Sequence, residues 1–246
     1  MAQSTKTDLA RIDADLAERA RNIQKQISAP ESRRITLDQK TGELMGPGGL
    51  SLGDEVRVIV VDFCTTKRYF DQPYDSNNPN SPACMAIGDI INEMVPEEGV
   101  PAQQSDFCRD CWANKWESDA KGKGKMCKET RDLAVVLADE LEDPDAEIEM
   151  YVVSCSPTAL KSFDAAAVKV HQLFNGPPIK AVMTMKSKSV ENYYNLSFGG
   201  IEGNPHLERV YPLLSESADL LGRLPDFSTY VPPKRLPPDD VRNDTK

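Results

Sequence analysis

Apolar residues near the start of the chain fall at steps of three and four, with Leu9, Ile12, Leu16, Ala20, Ile23 and Ile27 set among charges. That spacing is the period of an amphipathic helix and predicts one over residues 1–30, closed by Pro30. Such a helix can dock on its own body or on a partner. The pattern then shortens to two extended pieces, Arg34 to Leu37 and Leu44 to Met45, before a loop at Gly46-Pro47-Gly48-Gly49. Val56 to Phe63 (VRVIVVDF) is rich in β-branched residues and predicts a buried strand running on toward Tyr69.

Turn formers fill 71–82 (DQPYDSNNPNSP) and open a polar excursion that lasts to about Cys127. Strand-like patterns return at Leu133 to Ala138 and Glu147 to Val153. Ser156-Pro157 has the form of a helix start, with Ser able to cap and Pro tolerated at the first position. The helix carries Leu160, Phe163, Ala167, Val170 and Phe174 on one face and stops at Asn175-Gly176. Two more strands follow, Ile179 to Met185 and Tyr193 to Phe198. A last helix spans His206 to Leu221, with Pro212 expected to kink or divide it. The tail from Pro225 is proline-rich and expected to be extended or disordered.

The order strand, excursion, strand, strand, helix, strand, strand is that of an OB-fold, whose barrel binds oligonucleotides or oligosaccharides. The expected fold is therefore mainly β within the α+β class. It consists of an OB-type five-stranded barrel with a metal-binding loop inserted after the first strand, plus N- and C-terminal helices. By residue, the helix covers 1–30, the core 31–200 with its loop at 71–128, and the C-terminal helix and tail 201–246.

At 246 residues and 39% hydrophobic, the chain can bury one core with appendages. No apolar run approaches the about 20 residues that cross a bilayer, so no membrane role is expected. The first residues lack a secretory-type apolar stretch, which places the expected location in a reducing cytoplasm, where cysteines bind metal more readily than they pair.

Four of the six cysteines lie in the excursion. Cys108 and Cys111 make a C-x2-C knuckle, flanked by Cys84 and Cys127 in turn-rich segments. Four thiolates can close a tetrahedral zinc site with Zn–S distances of about 2.3 Å, and a closed all-cysteine shell is structural, because no position is left for water. Zinc would then order a loop with little apolar material of its own. Cys64 and Cys155, at strand ends, read as small core residues, with exchange for Cys84 in the shell as the alternative. His171 and His206 read as structural or solvated.

The formal charge of −10 opposes whole-surface attraction to nucleic acid, but its distribution is uneven. From Phe107 to Arg131 seven basic residues face four acidic ones, a local +3, whereas Asp132 to Glu149 holds eight acids and no base. Phe107, Trp112 and Trp116 are interleaved with Arg109, Lys115, Lys121, Lys123, Lys125 and Lys128. Bases stack on aromatic rings while lysines track phosphates, so this mixture suits a single nucleic-acid strand. The alternative is that the tryptophans pack over the knuckle and the lysines are merely solvated. Lys67, Arg68, Tyr69, Phe70 and Tyr74 form a second candidate surface. A third is Tyr193, Tyr194 and Phe198, of which alternate members must face inward.

The run Ser81-Pro82-x-Cys84, Cys108-x-x-Cys111-x-x-Asn114-x-Trp116-x-Ser118, Gly122-Lys123-Gly124-Lys125-x-Cys127-Lys128 and Arg131-x-Leu133 resembles a pattern of uncharacterised tailed-bacteriophage proteins. The resemblance covers about Val56 to Phe198 and implies a shared zinc fold. More distantly, a zinc loop in an OB-type core is similar to the helix-destabilising protein of large tailed coliphages. That likeness implies cooperative single-stranded-DNA binding during replication or recombination, with replication proteins and further copies of the chain as partners. The chain departs from that pattern in having no His in the cluster and no strongly acidic C-terminus.

An enzyme is not expected, because Gly-x-Ser-x-Gly, H-E-x-x-H, G-x4-G-K-[ST] and the deaminase H-x-E with P-C-x-x-C are all missing. The rival expectation is a zinc-stabilised interaction protein, a replication adaptor or virion component, which fits the acidic net charge.

Overall fold

The protein is described here by a computed structural model covering residues 33–72, 81–191 and 193–233. The helix expected over 1–30, Tyr74 and the end of the proline-rich tail lie outside the described residues.

Eight strands form one curled, mixed half-barrel sheet, so the protein is mainly β. They are β1 (Arg34–Leu37), β2 (Leu44–Met45), β3 (Glu55–Tyr69), β4 (Cys84–Gly88), β5 (Lys128–Leu137), β6 (Tyr151–Cys155), β7 (Ala181–Val190) and β8 (Tyr193–Gly203). Their order is β2-β1-β6-β5-β3-β7-β8, with β4 also on β3. Among the described residues, only β1 against β6 is parallel.

Strand β3 organises the sheet. One edge pairs with β5 along most of its length, while the other is shared, Glu55 to Val58 with β7 and Thr65 to Tyr69 with β4. Its apolar run does not alternate with polar residues because both faces are covered, the burial that continuous Val/Ile runs report. Val58 and Val60 join Leu133, Val135, Met183 and Met185 on one face, under the helix α1 (Leu160–Phe174). Ile59 and Val61 join Ala134, Val136 and Val152 on the other, under the C-terminal segment. That segment is divided at Pro212 into α2 (Leu207–Val210), a single 3-10 turn at Tyr211–Leu213, and α3 (Leu214–Leu221).

A β-bulge between Val60 and Asp62 changes the phase of β3. One extra residue reverses which parity faces which side. Phe63 therefore returns to the face of Val58 and Val60, and Cys64 to the face of Ile59. Beyond it, Lys67 and Tyr69 point to the side of Phe63 and Arg68 to the opposite side.

Three local expectations need correction. Ser156 does not cap α1: Ala159 holds the cap position without a side-chain bond, and the Ser156 hydroxyl donates to Asn195 Oδ1 at 3.2 Å. The strand expected from Glu147 starts only at Tyr151, where pairing with β5 begins. The excursion, in which no strand is expected, contains β4, whose ladder depends on a partner strand distant in sequence. The other end of α1 closes on Asn175, left-handed at φ 49°, whose N–H bonds the His171 carbonyl.

Candidate functional site: the cysteine lobe

The excursion from β3 to β5 folds as a lobe at the Tyr69 end of the sheet. Strand β4 begins with Cys84, the knuckle Cys108 to Cys111 follows, and Cys127 directly precedes β5. The backbone of the lobe is stapled by polar contacts. Cys127 N–H bonds the carbonyl of buried Ala113 at 2.8 Å, and Asn114 Nδ2 donates to the Cys108 carbonyl at 2.8 Å. Ser118 donates to the Ala113 carbonyl and accepts from Met126 N–H. A small apolar cluster of Tyr69, Ala83, Cys84, Cys111 and Ala113 sits beneath.

All four excursion cysteines line one cavity of about 20 Å³, together with Lys67 and Tyr69 from β3. That is room for a single water-sized body, too small for an organic ligand. The thiols are unpaired. Burial pushes the Cys127 thiol up to about 12, with the neighbouring sulfurs of Cys108, Cys111 and Cys84 adding to the rise. Burial likewise raises Cys84 and Cys108, while the Lys67 ammonium acts in the opposite sense on Cys108 and Cys127. Among the described residues, no three His, Cys, Asp or Glu side chains are grouped so that they could hold a metal ion. Cys64 and Cys155 take no part: each is buried in a sheet core, away from that wall.

The outer surface of the lobe carries aromatic and basic side chains together. Trp116 is 69% exposed, Trp112 46% and Phe107 44%. Trp112 is half anchored, its ring edge-to-face with Tyr69 at 5.7 Å and its Nε1 donating to Gln104 Oε1 at 3.2 Å. The Arg109 guanidinium lies 4.9 Å from the Phe107 ring centroid. Lys115, Lys121, Lys123 and Lys128 are exposed, whereas Lys125 is held by Asn114 Oδ1 at 3.1 Å.

The other expected nucleic-acid residues are not gathered there. Lys67 and Tyr69 are buried in the cavity wall, so neither presents a surface; the bulge in β3 turned them inward. Arg68 faces the opposite side, bonded to Asp132 Oδ2 at 2.6 Å and Thr130 Oγ1 at 3.1 Å. Phe70 remains exposed beside the lobe. Tyr193 is exposed but belongs to the β7–β8 hairpin, off the Glu55 end of β3. Of its neighbours, Tyr194 lies over Gly42 and Phe198 packs against Phe163 at 5.4 Å.

Sequence reasoning missed the cross-strand chain Arg34–Ser154–Asp132–Arg68, in which Ser154 donates to Asp132 at 2.5 Å and accepts from Arg34 at 2.9 Å. Its members lie on four strands, and no local spacing announces it. No known family model matches the chain, and no curated protein matches its sequence. No helix among the described residues is long and apolar enough to cross a membrane.

Proposed function

We propose that the chain binds single-stranded DNA on the outer surface of the cysteine lobe, without catalysis, and that a structural zinc ion closes the lobe. The observation that carries this reading is Trp116, an aromatic ring 69% exposed, on a lobe stapled by internal hydrogen bonds and studded with exposed cations. A packing role would bury that ring; a stacking role requires it free. Zinc is supported by donor chemistry and size, four thiols around a one-atom cavity. Metal uptake would convert the buried thiols to thiolates and let the side chains close inward.

The barrel reading is OB-type. β3, β5, β6, β7 and β8 pair as 3–5, 5–6, 3–7 and 7–8, with α1 between β6 and β7, in keeping with a partly open five-stranded barrel. Among the described residues no pairing between β6 and β8 closes it, and β1 takes the edge of β6 instead. The zinc-bearing lobe is then the insertion between the first and second core strands. The setting implied by the resemblance is phage replication or recombination, with replication proteins and further copies of the chain as companions on the strand.

A zinc-stabilised interaction protein is the second reading, favoured by the formal charge of −10. Fluorescence anisotropy of a labelled oligothymidylate across a salt series, with metal content measured on the same sample, separates the two. Strand binding loses affinity with salt at a logarithmic slope of about −0.7 per phosphate contact, so replacing exposed Lys121 and Lys123 by Gln should flatten it by about 1.4. Absence of binding at low salt in zinc-loaded protein would overturn the DNA reading and leave the interaction protein.

A further inference from the structure

Lys67 is an unusual member of the cavity wall. Lysine is among the residues least often fully buried unless paired, yet Lys67 is 2% exposed. Among the described residues no carboxylate stands within ion-pair distance of it. Glu129, its partner across the ladder, is turned to Arg131 at 4.0 Å, and Glu97 bonds the Ile87 N–H. What Lys67 does face is sulfur. It lines the cavity with Cys84, Cys108, Cys111 and Cys127.

A lysine in the wall of a sulfur-lined cavity, with no carboxylate in ion-pair range, is best matched by an anion formed in that cavity. When four neutral thiols take up one divalent cation and release four protons to solvent, the centre changes from neutral to a net charge of −2. That change supplies the missing anion. We propose that Lys67 is the counter-charge of a four-thiolate metal centre, held against the sulfurs by β3 and setting the affinity of the site for a divalent cation. The inference rests on the zinc reading above. It gives the β3 bulge a consequence, since that extra residue is what aims Lys67 at the cavity and not at the opposite face. It also ties the metal centre to the sheet, so that metal uptake would fix the lobe against β3 and not only order its own loop.

The test uses the full chain, stripped with chelator under reducing conditions and titrated with Co2+ and with Zn2+ against a chromophoric chelator. Wild type is compared with Lys67→Arg, Lys67→Met and Lys67→Gln. Partners one layer beyond the ligands typically change metal affinity by about 10- to 100-fold. The two neutral variants should therefore lose at least about tenfold in affinity, while Lys67→Arg stays near wild type. The thiolate-to-cobalt absorption should keep its form throughout, since the four ligands are unchanged. Should Lys67→Met not fold, Lys67→Gln, which keeps a polar end without the charge, decides the matter. Neutral variants that bind metal as tightly as wild type would overturn the role of Lys67 and leave the zinc reading standing. Failure of Lys67→Arg to retain affinity would reduce Lys67 to a packing residue and also overturn it. A wild-type chain showing no thiolate-to-cobalt absorption would overturn the zinc reading, and this inference with it.

Discussion

Trp116 and Trp112 look alike in the sequence and differ in what the fold asks of them. Trp116 is largely free, so Trp116→Ala should leave thermal stability near wild type while weakening oligothymidylate binding by about 1 to 3 kcal/mol, roughly 5- to 150-fold. Anisotropy and a melting curve on one sample check both halves of that statement; unchanged binding would remove Trp116 from the ligand surface. Trp112 differs, because its ring meets Tyr69 and its Nε1 meets Gln104. Asp132 illustrates the opposite extreme, a buried carboxylate accepting from Arg68 and Ser154 on neighbouring strands. Asp132→Ala strands the Arg68 guanidinium, which is partly exposed, so the cost should fall near the low end of the range for broken buried pairs, about 3 kcal/mol in chemical denaturation.

Among the elements, α1 shows how a single side chain couples a helix to the sheet. Phe163 is fully buried, with Phe63 of β3 at 5.2 Å and Phe198 of β8 at 5.4 Å, both edge-to-face. Phe163→Ala should cost about 3 to 5 kcal/mol and act together on two strands that β7 separates in the sheet. Hydrogen exchange should then report faster opening in both β3 and β8. Faster exchange confined to α1 would show that the helix does not bridge them. Strand β4 makes a complementary point: it exists because the Thr65 to Tyr69 half of β3 offers an unpaired edge, and it carries Cys84 into the cavity at its first residue.

For the whole molecule, the pH dependence of stability is set partly by thiols outside the lobe. Burial pushes Cys64 and Cys155 up to about 12 from the ordinary value of 9. In the unfolded chain both ionise near 9, while the folded chain keeps their protons to about 12. Between those values the unfolded state binds fewer protons, so this contribution is fully present below 9 and is lost as pH rises toward 12. Denaturation midpoints measured on wild type and on Cys155→Ala across that interval should show the shallower decline in the variant. Parallel declines would place the alkaline sensitivity elsewhere. At the same scale, charge is unevenly placed along the chain: Phe107 to Arg131 carries seven bases against four acids, whereas Asp132 to Glu149 holds eight acids and no base, so a chain of net charge −10 keeps one locally positive segment.

Periodicity by itself determined the long strand through Val56 to Phe63, the helix ending at Asn175 and the return of strands after the excursion, because local burial writes directly into residue spacing. Cysteine spacing singled out four residues that the fold brings to one cavity wall. Hidden from the sequence were the features made by pairing between distant segments: the parallel contact of β1 with β6, the strand β4, and the chain from Arg34 to Arg68. Hidden most of all was the bulge at Val60 to Asp62. Strict alternation carries no mark of an inserted residue, yet that one residue turned Lys67 and Tyr69 from an expected outer surface to the wall of the cysteine cavity, and only the register of β3 against β5 could decide it.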